Sequence, residues 1–178
     1  MKKSVCRGNF TLASGAQSDL YIDARLTTFD PLGAILLGRV GWELVKATAT
    51  QRQIPVDAIG GLTLGADPVA LSIGIAARLD DPSSKMKVFT VRKETKSHGR
   101  KKRIEGNFEE GNSVVVVDDV ITTGGSTLKA IDAIEEAGGK IAFVLVLMDR
   151  QEGGRATIES RGHAVVSIFT RADLPEEK

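Results

Sequence analysis

The segment SVVVVDDVITTGGSTLKA, residues 113–130, decides how the rest of the chain is read. Four consecutive valines, Val114 to Val117, suit a strand covered on both faces, because β-branched side chains pack well on a pleat and no polar alternation leaves a face for water. The sheet edge is then expected at Asp118 and Asp119. Thr122, Thr123, Gly124, Gly125, Ser126 and Thr127 follow as a loop whose small residues let backbone N–H groups come close to a ligand. Leu128, Ile131 and Ile134 recur at helical spacing, and Gly138 with Gly139 ends that helix.

A helix N-terminus presents unpaired N–H donors and the positive end of a macrodipole, so a phosphate fits there. Carboxylates beside it repel the phosphate unless they serve another group. Two adjacent acids at a strand end accept hydrogen bonds from vicinal hydroxyls, or hold a divalent cation directly or through water. Phosphate, diol and metal together describe a ribose phosphate. The plainer alternative is an ordinary strand-to-helix turn with solvated acids. A Walker loop is excluded, since Gly-x-x-x-x-Gly-Lys-[Ser/Thr] does not occur, and the Gly-x-Gly-x-x-Gly dinucleotide pattern is missing too.

Outward from this segment, the chain alternates strands and helices. Residues 10–25 mix apolar residues with Ser14-Gly15 and Ser18-Asp19 turn signals and read as a small hairpin or cap over a site. Asp30-Pro31 is an N-cap followed by proline at the first helical position. Leu32, Ile35, Leu36, Val40, Leu44 and Val45 then form a stripe at helical period, with Trp42 assigned to core or subunit interface. A strand at 56–60 enters a second glycine-rich loop, Gly60-Gly61-Leu62-Thr63-Leu64-Gly65-Ala66-Asp67-Pro68, before a helix over 68–79. That loop is either a packing turn or a second anion site.

After a strand at 86–91, residues 92–106 carry dense positive charge without apolar periodicity, so they are expected to form no packed element. A solvated run, a nucleic-acid patch and a lid over a polyanion compete there. Scarce aromatics disfavour base stacking, and the lid gains because a basic loop stabilises negative charge that develops on a leaving group. Residues 140–148 read as a central parallel strand ending in Asp149-Arg150. Arg150 is either a surface ion pair with Asp149 or Glu152, or a ligand contact. A short helix over 154–161, a strand over 164–169 and a fraying tail over 175–178 complete the chain. The pattern is an α/β, doubly wound, mainly parallel sheet with the loop after each strand on one rim.

At 178 residues a single domain is expected. A lone Cys6 forms no intrachain bridge, which points to a reducing cytoplasm. Met1-Lys2-Lys3 is followed by no apolar signal region, and no run approaches the ~20 apolar residues that span a bilayer. A net charge of +1 argues against nucleic-acid or membrane partners.

Residues 113–130 resemble the phosphoribosyl pyrophosphate motif of type I phosphoribosyltransferases. Within that class, Arg92-Lys93-Glu94-Thr95-Lys96-Ser97-His98-Gly99 with Ile104-Glu105-Gly106 resembles the catalytic loop of orotate phosphoribosyltransferases. Phe10-Thr11-Leu12, Ser14-Gly15 and Tyr21-Ile22-Asp23 are similar to that family's N-terminal hood, and Met148-Asp149-Arg150-Gln151-Glu152 to its base-recognition strand end. The resemblance implies one domain over 1–178, with a hood of about 1–30 plus the C-terminal segment and a core of about 50–170. It implies that Arg92, Lys93, Lys96 and His98 contact the pyrophosphate of 5-phosphoribosyl 1-pyrophosphate (PRPP). Asp118, Asp119, Val120, Ile121, Thr122, Thr123, Gly124, Gly125 and Ser126 hold the ribose 5-phosphate, and Thr122 and Arg150 meet orotate. Lys96, His98 and Asp119 are the implied catalytic residues.

The implied cofactor is Mg²⁺, carried mainly by PRPP with no dedicated protein site. The implied assembly is a homodimer whose loop 92–106 reaches the neighbouring subunit. Ala13 departs from the pattern, since many members carry lysine there. No decarboxylase domain follows, so a monofunctional enzyme of pyrimidine biosynthesis is expected. The competing classes are a phosphoribosyltransferase for another base and a PRPP-sensing regulator.

Overall fold

The computed structural model describes residues 4–11, 17–93 and 103–174. Strands β1 (Val5–Thr11) and β2 (Gln17–Ile22) pair antiparallel, apart from the main sheet. Then come the short helix α1 (Arg25–Thr28), α2 (Pro31–Arg52), β3 (Ala58–Leu62), α3 (Ala66–Asp80), β4 (Lys87–Val91) and β5 (Ile104–Gly106). They are followed by β6 (Ser113–Ile121), α4 (Gly125–Glu136), β7 (Lys140–Asp149), α5 (Gly154–Glu159), β8 (Val165–Thr170) and a 3₁₀ turn at Arg171–Asp173. Among the described residues no helix is long and apolar enough to cross a membrane.

The main sheet has the order β5-β4-β3-β6-β7-β8, parallel throughout except for the β4–β5 pair at one edge. From β3 the chain moves outward to β4, then crosses back to place β6 on the other side of β3. The crevice beyond the carboxyl ends of β3 and β6 is therefore a topological switch point, where α/β sheets bind ligands. The valine run explains itself in the packing. Val114 and Val116 face the cluster built with α4, whereas Val115 and Val117 face the cluster under α2 and α3, as the two-residue period of a strand requires.

The structure moves several expected boundaries. β6 does not stop at the acids: Asp118 pairs with Val146 and Ile121 with Asp149, so the strand carries both carboxylates within its length. α4 starts at Gly125, which puts Thr127 in its first turn and not in the loop. β3 starts at Ala58 and runs on past Gly60 through Gly61 to Leu62, where a Cβ at Gly61 would strike the Val117 carbonyl and one at Gly60 the Phe89 carbonyl. Only glycine lets these three strands lie this close. Ile104–Gly106, expected within an unpacked basic loop, forms the edge strand β5 on β4.

The apolar stripe of α2 mostly faces outward. Leu32, Ile35, Leu36 and Val40 are each more than half exposed, while Leu37, Gly38, Gly41, Val45 and Thr48 are buried. Small residues make the helix contact: a Cβ on Gly38 would strike the Ser72 carbonyl of α3, and one on Gly41 would lie 2.7 Å from the Ile73 side chain. The Asp30 carboxylate accepts from Leu32 N–H at 3.0 Å and Gly33 N–H at 3.1 Å, closing the start of α2 as the Asp-Pro pair predicts. Asp30→Ala is expected to lower the unfolding free energy by about 1 kcal/mol, measured by urea denaturation, with the helix start otherwise kept by Pro31.

Candidate active site

At the switch point a cavity of about 290 Å³ opens between the ends of β3 and β6 and the chain leaving β2. Asp118, Asp119, Thr63, Gly65, Lys93 and Ser126 contribute to its wall, with Asp23 and Arg25 closing the side nearest the hairpin. A second cleft of about 360 Å³ lies under α2, with walls dominated by Leu36, Leu37, Met148 and Phe169. It offers a polar ligand little, whereas the switch-point cavity brings two carboxylates, a lysine and the start of α4 to one wall.

The two acids differ because consecutive strand residues point to opposite faces. Asp118, 6 % exposed, turns toward α4 and accepts from the Thr127 hydroxyl at 2.6 Å. Its other oxygen accepts from Asp119 N–H at 3.1 Å. Desolvation by this burial pushes the Asp118 pKa up to about 7, against the lowering effect of the Thr127 hydrogen bond, and the neighbouring Asp119 charge raises it further. Asp119 turns toward the β3–α3 loop and is less buried. Its carboxylate lies so near Gly65 that a Cβ there would strike Oδ1. Burial raises its pKa as well, while a Val120 N–H hydrogen bond of 2.9 Å and the Arg25 charge oppose the rise. Arg25 in turn is held by Asp23 through contacts of 2.8 and 3.0 Å.

Beyond the acids, Gly124 adopts φ +83°, a left-handed conformation that glycine reaches without strain, and it delivers the chain to the N-terminus of α4. No side chain caps that terminus. The first-turn N–H groups are thus left for an anion. Gly154 backs the turn: a Cβ there would lie 2.5 Å from the Thr122 carbonyl and 3.0 Å from Gly124 N. Thr122 and Arg150 come together because Ile121 pairs with Asp149 and Arg150 N–H donates to the Ile121 carbonyl at 3.1 Å.

The second glycine loop serves partly for packing and partly for the cavity. Asp67, in the first turn of α3, accepts from Thr63 Oγ1 at 2.7 Å and Thr90 Oγ1 at 2.5 Å, fastening the loop to the end of β4. The Thr63–Leu64 peptide in this loop is cis. Where β4 ends, Lys93 reaches the cavity wall and Arg92 pairs with Glu105 of β5 at 3.6 Å. Lys96 and His98 lie outside the described residues.

Arg150 is not the exposed ion pair that its position suggests. It is 4 % exposed, with Nη2 2.7 Å from Glu152 Oε1 and 3.1 Å from the Leu20 carbonyl of β2. Asp149, the other proposed partner, is instead engaged by Arg155 at 3.1 Å. Sequence reasoning passed over Arg25, Asp67 and Thr90. Only the spacing of Asp23 and Arg25, two residues apart at a helix start, was a signal within the chain itself.

A parallel sheet with twin aspartates and an uncapped, glycine-led helix N-terminus at its switch point defines a sugar-phosphate-binding protein of the phosphoribosyltransferase class. The family model for the phosphoribosyl transferase domain matches residues 69–168. Over 165 residues the chain is 45% identical to the orotate phosphoribosyltransferase of Aquifex aeolicus (strain VF5), covering 93% of this chain and 86% of that one. Among solved structures it is similar to Mycobacterium tuberculosis H37Rv orotate phosphoribosyltransferase in complex with Fe(III) dicitrate. That match has a TM-score of 0.79 at 38% identity and covers 97% and 93% of the two chains. The same enzyme in complex with PRPP gives a TM-score of 0.73 at 35% identity, covering 92% and 88%. The chain belongs to the orotate phosphoribosyltransferase family.

The folded chain holds the Asp118 proton up to about pH 7, whereas the ordinary carboxyl value is 3.8. Between these values the folded state binds the extra proton, so this group's contribution to stability falls as pH rises through the window and levels off above it. Asp118→Asn, which keeps an acceptor for Thr127, is expected to remove that share of the slope. Urea unfolding of both proteins from about pH 4 to about pH 8 measures it. Parallel stability curves would rule out a buried, protonated carboxyl.

Proposed function

We propose that the chain transfers the ribosyl 5-phosphate group of PRPP to N1 of orotate, giving orotidine 5-phosphate and pyrophosphate for UMP synthesis. The observation that carries this reading is the Asp118–Asp119 pair at the switch point, leading into the α4 N-terminus, in a chain 45% identical to an orotate phosphoribosyltransferase. The whole of residues 1–178 is read as one such domain, working in the cytoplasm.

In the reaction the bond from the anomeric carbon to the pyrophosphate oxygen breaks and a bond to N1 of the base forms. Positive charge grows on the sugar ring as negative charge gathers on the leaving group. The 5-phosphate sits on the N–H groups at Gly124, Gly125 and Ser126, with Thr122, Thr123, Val120 and Ile121 shaping the turn. Asp119, the more open acid, holds the ribose hydroxyls and faces the ring cation; Asp118 holds the turn through Thr127 and shares the diol. Arg92, Lys93, Lys96 and His98 receive the pyrophosphate, and Lys96 and His98 stabilise its developing charge. Arg150 and Thr122 meet the base, and a guanidinium suits its carboxylate better than it suits a neutral purine.

Magnesium fits this rim as a cation brought by the donor. Asp118 and Asp119 both line the cavity, and as hard oxygen donors they would suit a divalent cation that arrives with the donor. When bound, it neutralises part of the leaving group's charge. A homodimer is the proposed assembly, with the basic loop between Lys93 and β5 reaching the neighbouring site. The outward apolar row of α2, together with exposed Leu71, Ile75 and Leu79 of α3, supports an interface on that face.

Orotate consumption, followed by absorbance with PRPP and Mg²⁺ present, tests the activity. Orotate is expected to react and adenine, hypoxanthine and uracil to remain, and turnover of another base with orotate inert would defeat the assignment. Lys96→Ala is expected to lower kcat by roughly a hundredfold without loss of fold. If the loop serves the neighbouring site, mixing Lys96→Ala with Asp119→Asn protein restores activity through hybrid dimers carrying one intact site. A mixture no more active than its parts speaks against loop sharing.

A further inference from the structure

The base-facing end of the site already contains a carboxylate. Arg150 is buried at the end of β7, beside Thr122, and its Nη2 is shared between Glu152 Oε1 at 2.7 Å and the Leu20 carbonyl at 3.1 Å. Leu20 is fully buried in the hairpin strand β2, so that carbonyl is a fixed acceptor. Glu152 is different, since its side chain keeps 31% of its surface open whereas that of Arg150 keeps 5%. It belongs to the turn after β7, where Gln151 takes a left-handed φ of +57° and folds the chain back over the strand end. Of these two acceptors on Nη2, one is thus rigid and the other has water to move into.

We infer that Glu152 occupies the Arg150 guanidinium as an internal substitute for the carboxylate of the base, and that orotate takes this place by exchange. The inference rests on the reading of Arg150 as the orotate contact. A buried guanidinium that loses a carboxylate partner is strongly destabilised, so the free protein benefits from carrying one of its own. Two carboxylates on the same nitrogen repel each other, and the one with a path to solvent gives way. Orotate therefore exchanges one charge-assisted contact for a like one, and the net gain is smaller than an empty guanidinium would give. Glu152 acts through Arg150, as a positioning residue that keeps the guanidinium aimed while lowering the affinity for the base.

Glu152→Gln tests this. The amide is a weaker partner for Arg150, so the KM for orotate is expected to fall by about fivefold or more while the KM for PRPP holds. The Tm of the free variant is expected to drop, and saturating orotate to raise it by more than in the parent protein. An orotate KM that rises or stays level overturns the exchange, because a Glu152 that merely orients or braces Arg150 gives no gain on removal. A crystal of the unaltered protein with orotate bound needs no variant to fold: Glu152 turned away from Arg150 supports the exchange, and Glu152 still within hydrogen-bond distance of Nη2 overturns it. If the unaltered protein turns over no orotate at all, the assignment of the base fails, and that outcome is distinct from an active protein whose variant shows no gain.

Discussion

Burial of β6 on both faces is the constraint from which the rest follows. A strand at the centre of a parallel sheet has no solvated side along its length, so its polar groups lie toward its ends, here Ser113 at one and the two acids near the other. Val114 and Val116 are fixed by the α4 layer, and Val115 and Val117 by the α2–α3 layer. The alternation carries on into the acids, so the packing of the valines determines which way each carboxylate points. Asp118 is drawn into the α4 layer and Asp119 into the crevice beside β3.

This division gives the paired acids different tasks. Asp118 ties the strand to the first turn of α4 through Thr127, at the cost of a carboxyl that resists ionisation. Asp119 remains nearer the cavity, with the Arg25 charge favouring its anion. The close approaches around them depend on residues without side chains. Gly65 leaves room for Asp119, Gly61 lets β3 lie against β6, and Gly154 lets the β7–α5 turn support the loop at Gly124. The start of α4 and the chain at Arg150 are thus joined through the backbone at Ile121 and the close approach of Gly154 to Thr122 and Gly124.

Long-range contacts fix the surroundings of the cavity. The hairpin of β1 and β2 supplies the Leu20 carbonyl to Arg150, 130 positions away, and the chain leaving it brings Asp23 and Arg25 to the wall. On the other side Asp67 joins Thr63 to Thr90, linking the β3–α3 loop to the strand that leads into Arg92 and Lys93. The site is assembled from distant parts of the chain around one strand, at the switch point of the sheet.

The sequence by itself determined the alternating architecture, the acids at the end of a central strand, the anion-ready helix start beyond them and the Asp30-Pro31 helix opening. Each of these is set by neighbours within a few residues, through strand period, glycine freedom and capping. Only the tertiary structure decided that the apolar row of α2 faces outward, that Asp118 is the closed acid and Asp119 the open one, and that Arg150 is buried against Glu152 and Leu20. Burial and ionisation depend on what packs against a residue from elsewhere in the chain. Periodicity names the two faces of a helix without saying which one small residues such as Gly38 and Gly41 will press against a neighbour.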